Sequence, residues 1–258
     1  MGKRRPPTCV VLVYHWIPAE QRERFARQMD ILCRLGTPLR ADNTAPLAPS
    51  QQYVSVTFDD GLISFAENAL PELEKRNIPA VLFAVTGMLG SVPAWKNYSR
   101  KCREALDRER TLTGEQLREI SQKVLIGSHS ITHPMLTELD EAEAKREIVE
   151  SKRQLEALLG YPITTFCFPY GDFSEDLLRY CRDGGYERVF SVLPVTAFSD
   201  PREFLTGRVP VDPKDWPIEF WLKASGAYRW RAPLDDVRMR RARFKRTQKA
   251  ERMTPNKS

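Results

Sequence analysis

No apolar run in this sequence approaches the roughly 20 residues that a membrane-spanning helix needs. The run nearest the start, Cys9 to Tyr14, follows a basic stretch but is too short for the core of a secretion signal. The expectation is a cytoplasmic protein that is not exported. Paired cysteines are missing too. Cys9, Cys33, Cys102, Cys167 and Cys181 are scattered, with no C-x-x-C pair among them. A zinc ribbon is excluded, and reduced, packed thiols are expected. Internal repeats are absent, which excludes a solenoid. An excess of charge is missing from most of the chain. Residues 231–258 hold ten Lys/Arg and three Asp/Glu, a balance of +7 within a total of +6. The rest is close to neutral and carries no recognisable nucleic-acid motif, so nucleic acid is not expected as a partner.

What is present is size and alternation. The chain has 258 residues, 41% of them hydrophobic, enough for one large α/β domain. Strand-like and helix-like segments alternate, the pattern of a parallel sheet or barrel. Strands are expected at Cys9–Tyr14, Tyr53–Phe58, Ile78–Val85, Val124–Gly127, Thr165–Phe168, Arg188–Val192 and Gly207–Val211. A helix opened by Pro18 should bury Phe25, Met29 and Leu32 and stop at Gly36. Residues 37–52 read as a surface loop, and residues 87–112 as irregular. Ala66–Arg76 reads as a helix. Thr113 and Gln116 form a capping-box pattern. The longest helix runs from Asp140 to Leu159, capped by Asp140 and stopped by Gly160. Ser174–Asp183 and Asp215–Ala224 complete the helical set. We expect a domain over residues 1–230 and a basic, flexible tail over 231–258.

The most informative stretch is Thr57-Phe58-Asp59-Asp60-Gly61, at the end of an apolar strand pattern. Two adjacent carboxylates repel unless a cation lies between them or one is protonated. Taken alone, Asp-Asp-Gly is also a good polar turn. Downstream, Ser128-His129-Ser130-Ile131-Thr132-His133-Pro134 supplies two imidazoles. One aspartate and two histidines make a three-ligand divalent site of the catalytic type. His15, Asp59-Asp60, His129 and Pro169-Tyr170 each follow an expected strand. In a parallel barrel such positions converge on one face.

Together, Thr-Phe-Asp-Asp-Gly, His-Ser-x-x-His-Pro and Phe-Pro-Tyr-Gly resemble the polysaccharide deacetylase family, over roughly residues 8–225. The resemblance implies a distorted (β/α) barrel. It implies a hydrolase that uses a divalent metal, expected to be zinc, to remove an N-acetyl group from an amino sugar. The substrate would be an acetylated amino sugar in an intermediate of glycan or lipopolysaccharide assembly. Asp59 becomes the general base, and Asp60, His129 and His133 the metal ligands. The backbone N–H of Tyr170 becomes an oxyanion donor beside Pro169. The family's general acid is usually a late histidine. Here three histidines exist and none follows His133. A subgroup carries Tyr-His after its first strand, which makes His15 the candidate acid. Many members have an arginine two residues before the Pro-Tyr proline. Cys167 stands there instead. Arg208 is the candidate replacement, with Asp212 or Asp215 as its expected partner. Trp16 and Trp216 are the tryptophans best placed to line a sugar groove. The aromatic segment 216–222 and the basic tail suit a peripheral contact at an inner membrane surface. Rival readings are a related C–N hydrolase or deformylase acting on a non-polymeric amide, and a non-catalytic glycan-binding barrel.

Overall fold

The computed structural model describes residues 8–233 except 94–108, 196, 199 and 201. Among the described residues there are nine strands: β1 (Thr8–Tyr14), β2 (Thr37–Pro38), β3 (Gln52–Phe58), β4 (Ala80–Ala84), β5 (Leu125–Ser128), β6 (Thr165–Cys167), β7 (Arg188–Phe190), β8 (Leu205–Thr206) and β9 (Val209–Pro210). The helices are α1 (Arg22–Leu35), α2 (Leu70–Glu74, entered through a π-helical turn at Phe65–Ala69), α3 (Gly114–Ile120), α4 (Glu141–Leu159), α5 (Glu175–Asp183) and α6 (Pro217–Ala224). The strand order is β8-β7-β6-β5-β4-β3-β1-β9, and every ladder is parallel. The two end strands, β8 and β9, are separated along the chain by Gly207 and Arg208 alone. The segment therefore runs along β7 first and β1 second, and draws the sheet's edges together. This is the distorted (β/α) barrel that the sequence implies.

Alternation along each strand sorts side chains into two cores. Val10, Leu12 and Tyr14 of β1 and Val54, Val56 and Phe58 of β3 pack outward against the helices. Cys9, Val11, Val81, Phe83, Cys167 and Phe190 fill the barrel interior. Gly127 belongs to that inner layer because Phe83 occupies the space beside it. A Cβ there would lie 2.5 Å from the Phe83 ring and 2.6 Å from Thr165 Oγ1.

The helix ends follow local chemistry. Thr113 and Gln116 cap α3 reciprocally, with Gln116 N donating to Thr113 Oγ1 and Thr113 N to Gln116 Oε1. Asp140 accepts from Glu143 N at 2.8 Å, and Gly160 closes α4 at φ 79°. Gly36 ends α1, as expected, but not through a left-handed cap. Its φ is −165°, which any residue adopts. A side chain is excluded because its Cβ would lie 2.8 Å from the Gln52 carbonyl. The expected loop over 37–52 contains the short β2, too brief to show a period. It pairs with the start of β3, while β4 takes the end. Trp95 and Tyr98, and the tail from 234, lie outside the described residues. Among the described residues no helix is long and apolar enough to cross a membrane.

Glu72 joins α1 to α2. Its carboxylate accepts from Arg22 and Lys75 at 2.9 Å and from Arg76 at 3.0 Å, and Arg76 also reaches Asp30 at 2.7 Å. Lys75 first, then Arg76 and Arg22, hold the Glu72 carboxyl down to about 2 from 4.5, against the effect of burial. A depressed carboxyl adds stability above its unfolded value and loses it as pH falls toward the folded one. Glu72→Gln should therefore lower stability at neutral pH, and the gap to wild type should close between pH 4.5 and about 2. Denaturant unfolding across that range measures it. A gap constant with pH contradicts the assignment.

Candidate metal centre

The strand ends set the site. Asp59 N still bonds to Tyr14 O at 3.0 Å, continuing the β1–β3 ladder by one residue. The chain then turns sharply through Asp60 at φ 71° and Gly61 at φ 68°. The turn separates two carboxylates that adjacency would otherwise force together. Among the described residues, four of the seven non-glycine residues with positive φ are Asp60, Ser130, His133 and Tyr170, all at strand ends on this face. Such conformations cost energy and persist where surrounding contacts fix them.

Those contacts are visible for the histidine loop. β5 continues with His129 N bonded to Ala84 O at 3.0 Å. The loop that follows is tied to Glu147 of α4, which is 2% exposed. Its carboxylate accepts from Ile131 N at 2.8 Å, Thr132 N at 2.9 Å and Thr132 Oγ1 at 2.8 Å. Ser130 Oγ accepts from His133 N at 3.0 Å. The loop therefore presents both rings from a braced backbone.

His129 Nδ1 lies 2.8 Å from the Cys167 carbonyl. A carbonyl only accepts, so Nδ1 carries the proton and Nε2 keeps its lone pair. That Nε2 sits 3.6 Å from Asp60 Oδ1, and His133 Nε2 sits 3.3 Å from the same oxygen. Burial, then His129 and His15, push the His133 imidazole well below its ordinary value. Both rings thus turn Nε2 toward Asp60. Ligand atoms of Asp60, His129 and His133 all lie within 4.8 Å of one another, and all three residues are buried. Acceptor atoms turned toward each other in a buried pocket fit a divalent cation. The donor set matches the metal group that the sequence implies.

Asp59 has a different partner. Arg208 Nη1 donates to Asp59 Oδ1 at 2.7 Å and Nη2 to Oδ2 at 2.8 Å, a bidentate pair. Arg208 is fully buried. Its remaining donors reach Thr57 Oγ1 at 3.0 Å, Ser191 O at 3.2 Å and Cys167 Sγ at 2.8 Å. The rings of Phe83 and Phe190 flank the guanidinium at 5.5 and 5.8 Å. Burial alone would raise the Asp59 pKa. Arg208 overrides it and holds the carboxyl far below the usual carboxylate range. The expected partner of Arg208 was Asp212 or Asp215, and this is corrected. Asp215 pairs with Lys223 at 2.7 Å, and Asp212 Oδ1 accepts from Lys214 N at 2.7 Å. Both follow β9 beyond the inner layer, whereas Arg208 points inward from the seam.

His15 follows β1, is half-buried, and acts electrostatically on both Asp59 and His133. Tyr170, at φ 60°, places its ring 4.7 Å from His133, after the buried Pro169. Trp16 is half-buried against Leu62 and Val85. Trp216 lies elsewhere, 75% exposed in a groove that none of the metal-site residues lines. Two participants were not assigned from sequence. Cys167 was noted only as a missing arginine, and Glu147 was hidden among helix charges. A carboxylate between Ala144 and Ile148 on a buried helix face was the available signal for Glu147.

Arg208→Met should leave Asp59 as an uncompensated buried charge and cost about 3–5 kcal/mol. Adding Asp59→Asn should recover part of that loss. Denaturant unfolding of the metal-free variants checks it, and a double variant no more stable than Arg208→Met contradicts the pairing.

The polysaccharide deacetylase family model matches residues 47–189. YxkH of Bacillus subtilis strain 168, named for the same family, is 27% identical over 221 residues, covering 81% of this chain and 73% of that protein. The peptidoglycan-N-acetylglucosamine deacetylase of Bacillus cereus is 24% identical over 139 residues. That match covers 52% of this chain and 42% of the relative, so the chain spans less than half of that protein. Among solved structures, IcaB from Ammonifex degensii superposes with TM-score 0.66 at 24% identity, over 86% of this chain and 98% of that one. Deacetylase PplD of Streptococcus pyogenes gives 0.63 at 18% identity, over 87% and 99%. These likenesses show the barrel, and the family model covers more than half of the sequence. The chain belongs to the polysaccharide deacetylase family.

Proposed function

We propose that this protein is a metal-dependent N-deacetylase that releases acetate from an acetylated amino sugar of a glycan or of a glycan-assembly intermediate. Family membership supports the reaction. One observation carries the catalytic assignment. A carboxylate clamped by Arg208 stands directly beside a second carboxylate that faces two imidazoles.

Asp60, His129 and His133 would hold the metal, and a divalent ion there supplies Lewis acidity toward an acyl carbonyl. Two nitrogen donors and one carboxylate suit zinc. Asp59 stays ionised because Arg208 faces it. A carboxylate offers about four lone-pair sites, and the bidentate contact uses two. The others can take a proton from the attacking water. As the water oxygen bonds to the acyl carbon, negative charge gathers on the carbonyl oxygen. The Tyr170 backbone N–H, in its left-handed turn after Pro169, would receive it in this reading. The C–N bond then breaks. The departing nitrogen needs a proton, since an amide anion is a very poor leaving group. His15, on the strand beside Asp59, is the group that delivers it. Acetate and a free amine result. Trp16, beside His15, offers a face for the sugar ring.

Asp59→Asn should abolish acetate release and retain metal, whereas His133→Ala should lose metal. Metal analysis of both purified variants, with acetate release from a panel of N-acetylated sugars, tests the pair. Metal loss in Asp59→Asn, or full metal in His133→Ala, overturns the division of roles. His15→Ala should keep the metal and slow turnover by about 10² or more. Wild-type turnover in that variant removes His15 from the reaction.

A further inference from the structure

Four of the six large apolar side chains exposed among the described residues fall within residues 216–230: Trp216, Ile218, Trp221 and Trp230, at 75%, 64%, 44% and 67%. Helix α6 explains three of them. Phe220 and Ala224 are fully buried on its inner face. Ile218 and Trp221, one helical turn apart, stand on the other, with Trp216 at the N-cap. Trp216 lines a groove of about 540 Å³, and Ile218 and Trp221 line an adjoining one with Ile31 and Arg34 of α1.

The groove's other wall is basic. Arg24, Arg27 and Arg34 line it from α1, and Lys214 from the loop before α6. Its carboxylates are neutralised within the fold. Asp30 pairs with Arg76, and Asp215 with Lys223, each at 2.7 Å. The surface thus joins exposed indoles to a surplus of cations. Just past Trp230 the sequence adds the +7 of residues 231–258.

We propose that the α1–α6 face docks on an anionic lipid bilayer. Indole rings favour the headgroup region, where the ring is sheltered and its N–H stays wet. Apolar side chains beside cations are the signature of an in-plane contact with anionic lipid. A second copy of this chain is a poor occupant. A two-fold interface uses the same patch on both copies and would bring two surfaces bearing Arg24, Arg27 and Lys214 together. Helix α1 follows β1 and α6 follows β9, so both begin on the face where the strand ends carry Asp59 and Asp60. Docking is independent of the deacetylase reading, because it is measured without substrate.

Sedimentation of the full chain with phosphatidylcholine vesicles, with and without phosphatidylglycerol, tests it. The anionic vesicles should bind at least about 10-fold more tightly, and less so as salt rises. Ile218→Ser/Trp221→Ser should weaken that binding by about 10-fold with unchanged thermal unfolding, and Arg24→Glu/Arg27→Glu should do the same. Equal binding to both vesicles, none to either, or wild-type binding by the Ile218/Trp221 variant overturns the proposal. So does a concentration-dependent dimer in sedimentation equilibrium that the Ile218/Trp221 variant abolishes.

Discussion

A fully buried ion pair between Arg208 and Asp59 holds this structure's chemistry in place. Burying two charges is costly, and the cost is offset only when geometry and hydrogen bonding are complete. Here they are. A guanidinium has five N–H donors. Those of Arg208 reach both Asp59 oxygens, Thr57, Ser191 and Cys167. Arg208 also sits between β8 and β9, where the chain passes from one edge of the sheet to the other. Barrel closure and the orientation of the Asp59 carboxylate are therefore one constraint. Distortion at the seam would move the carboxylate.

The same economy separates two neighbouring aspartates. They share a peptide bond yet occupy opposite environments. Asp59 faces a permanent cation in the barrel interior. Asp60, turned by its left-handed backbone, faces two imidazoles: burial pushes that of His133 toward its neutral form, and the Cys167 carbonyl aims that of His129. Cys167 contributes twice. Its carbonyl fixes the His129 tautomer, and its small side chain leaves room for Arg208 to arrive from another strand. Burial pushes the thiol well above its ordinary value, so it enters this network uncharged. An arginine at position 167 would compete for the same volume.

Much of this was legible in the sequence, for identifiable reasons. β1 and β3 read correctly because apolar runs buried on both faces leave no other reading. Asp140 and Gly160 marked the ends of α4 because capping is local chemistry. That Asp60, His129 and His133 gather in one buried cluster was readable because donor type and spacing survive without coordinates. The partner of Arg208 was not. Asp212 and Asp215 are close to it in sequence, but a barrel brings Asp59 across to it from the third strand. The role of Gly36 was hidden for a similar reason, since its constraint is a carbonyl sixteen positions away. Trp216 shows the opposite error of emphasis. The family resemblance suggested that Trp216 lines a sugar groove, whereas its neighbours are the cations of α1.

The central claim is a division of labour: Asp60 with the two histidines grips a cation, and Asp59 stays with Arg208. A second cluster gives that claim a rival, because Asp59, His129 and Cys167 also bring donor atoms within 4.8 Å of one another. Anomalous diffraction at the zinc absorption edge, from crystals of the zinc-loaded protein, decides between them. The expected result is a peak bounded by Asp60, His129 and His133, with both Asp59 oxygens still on Arg208. A peak seated among Asp59, His129 and Cys167 would contradict it.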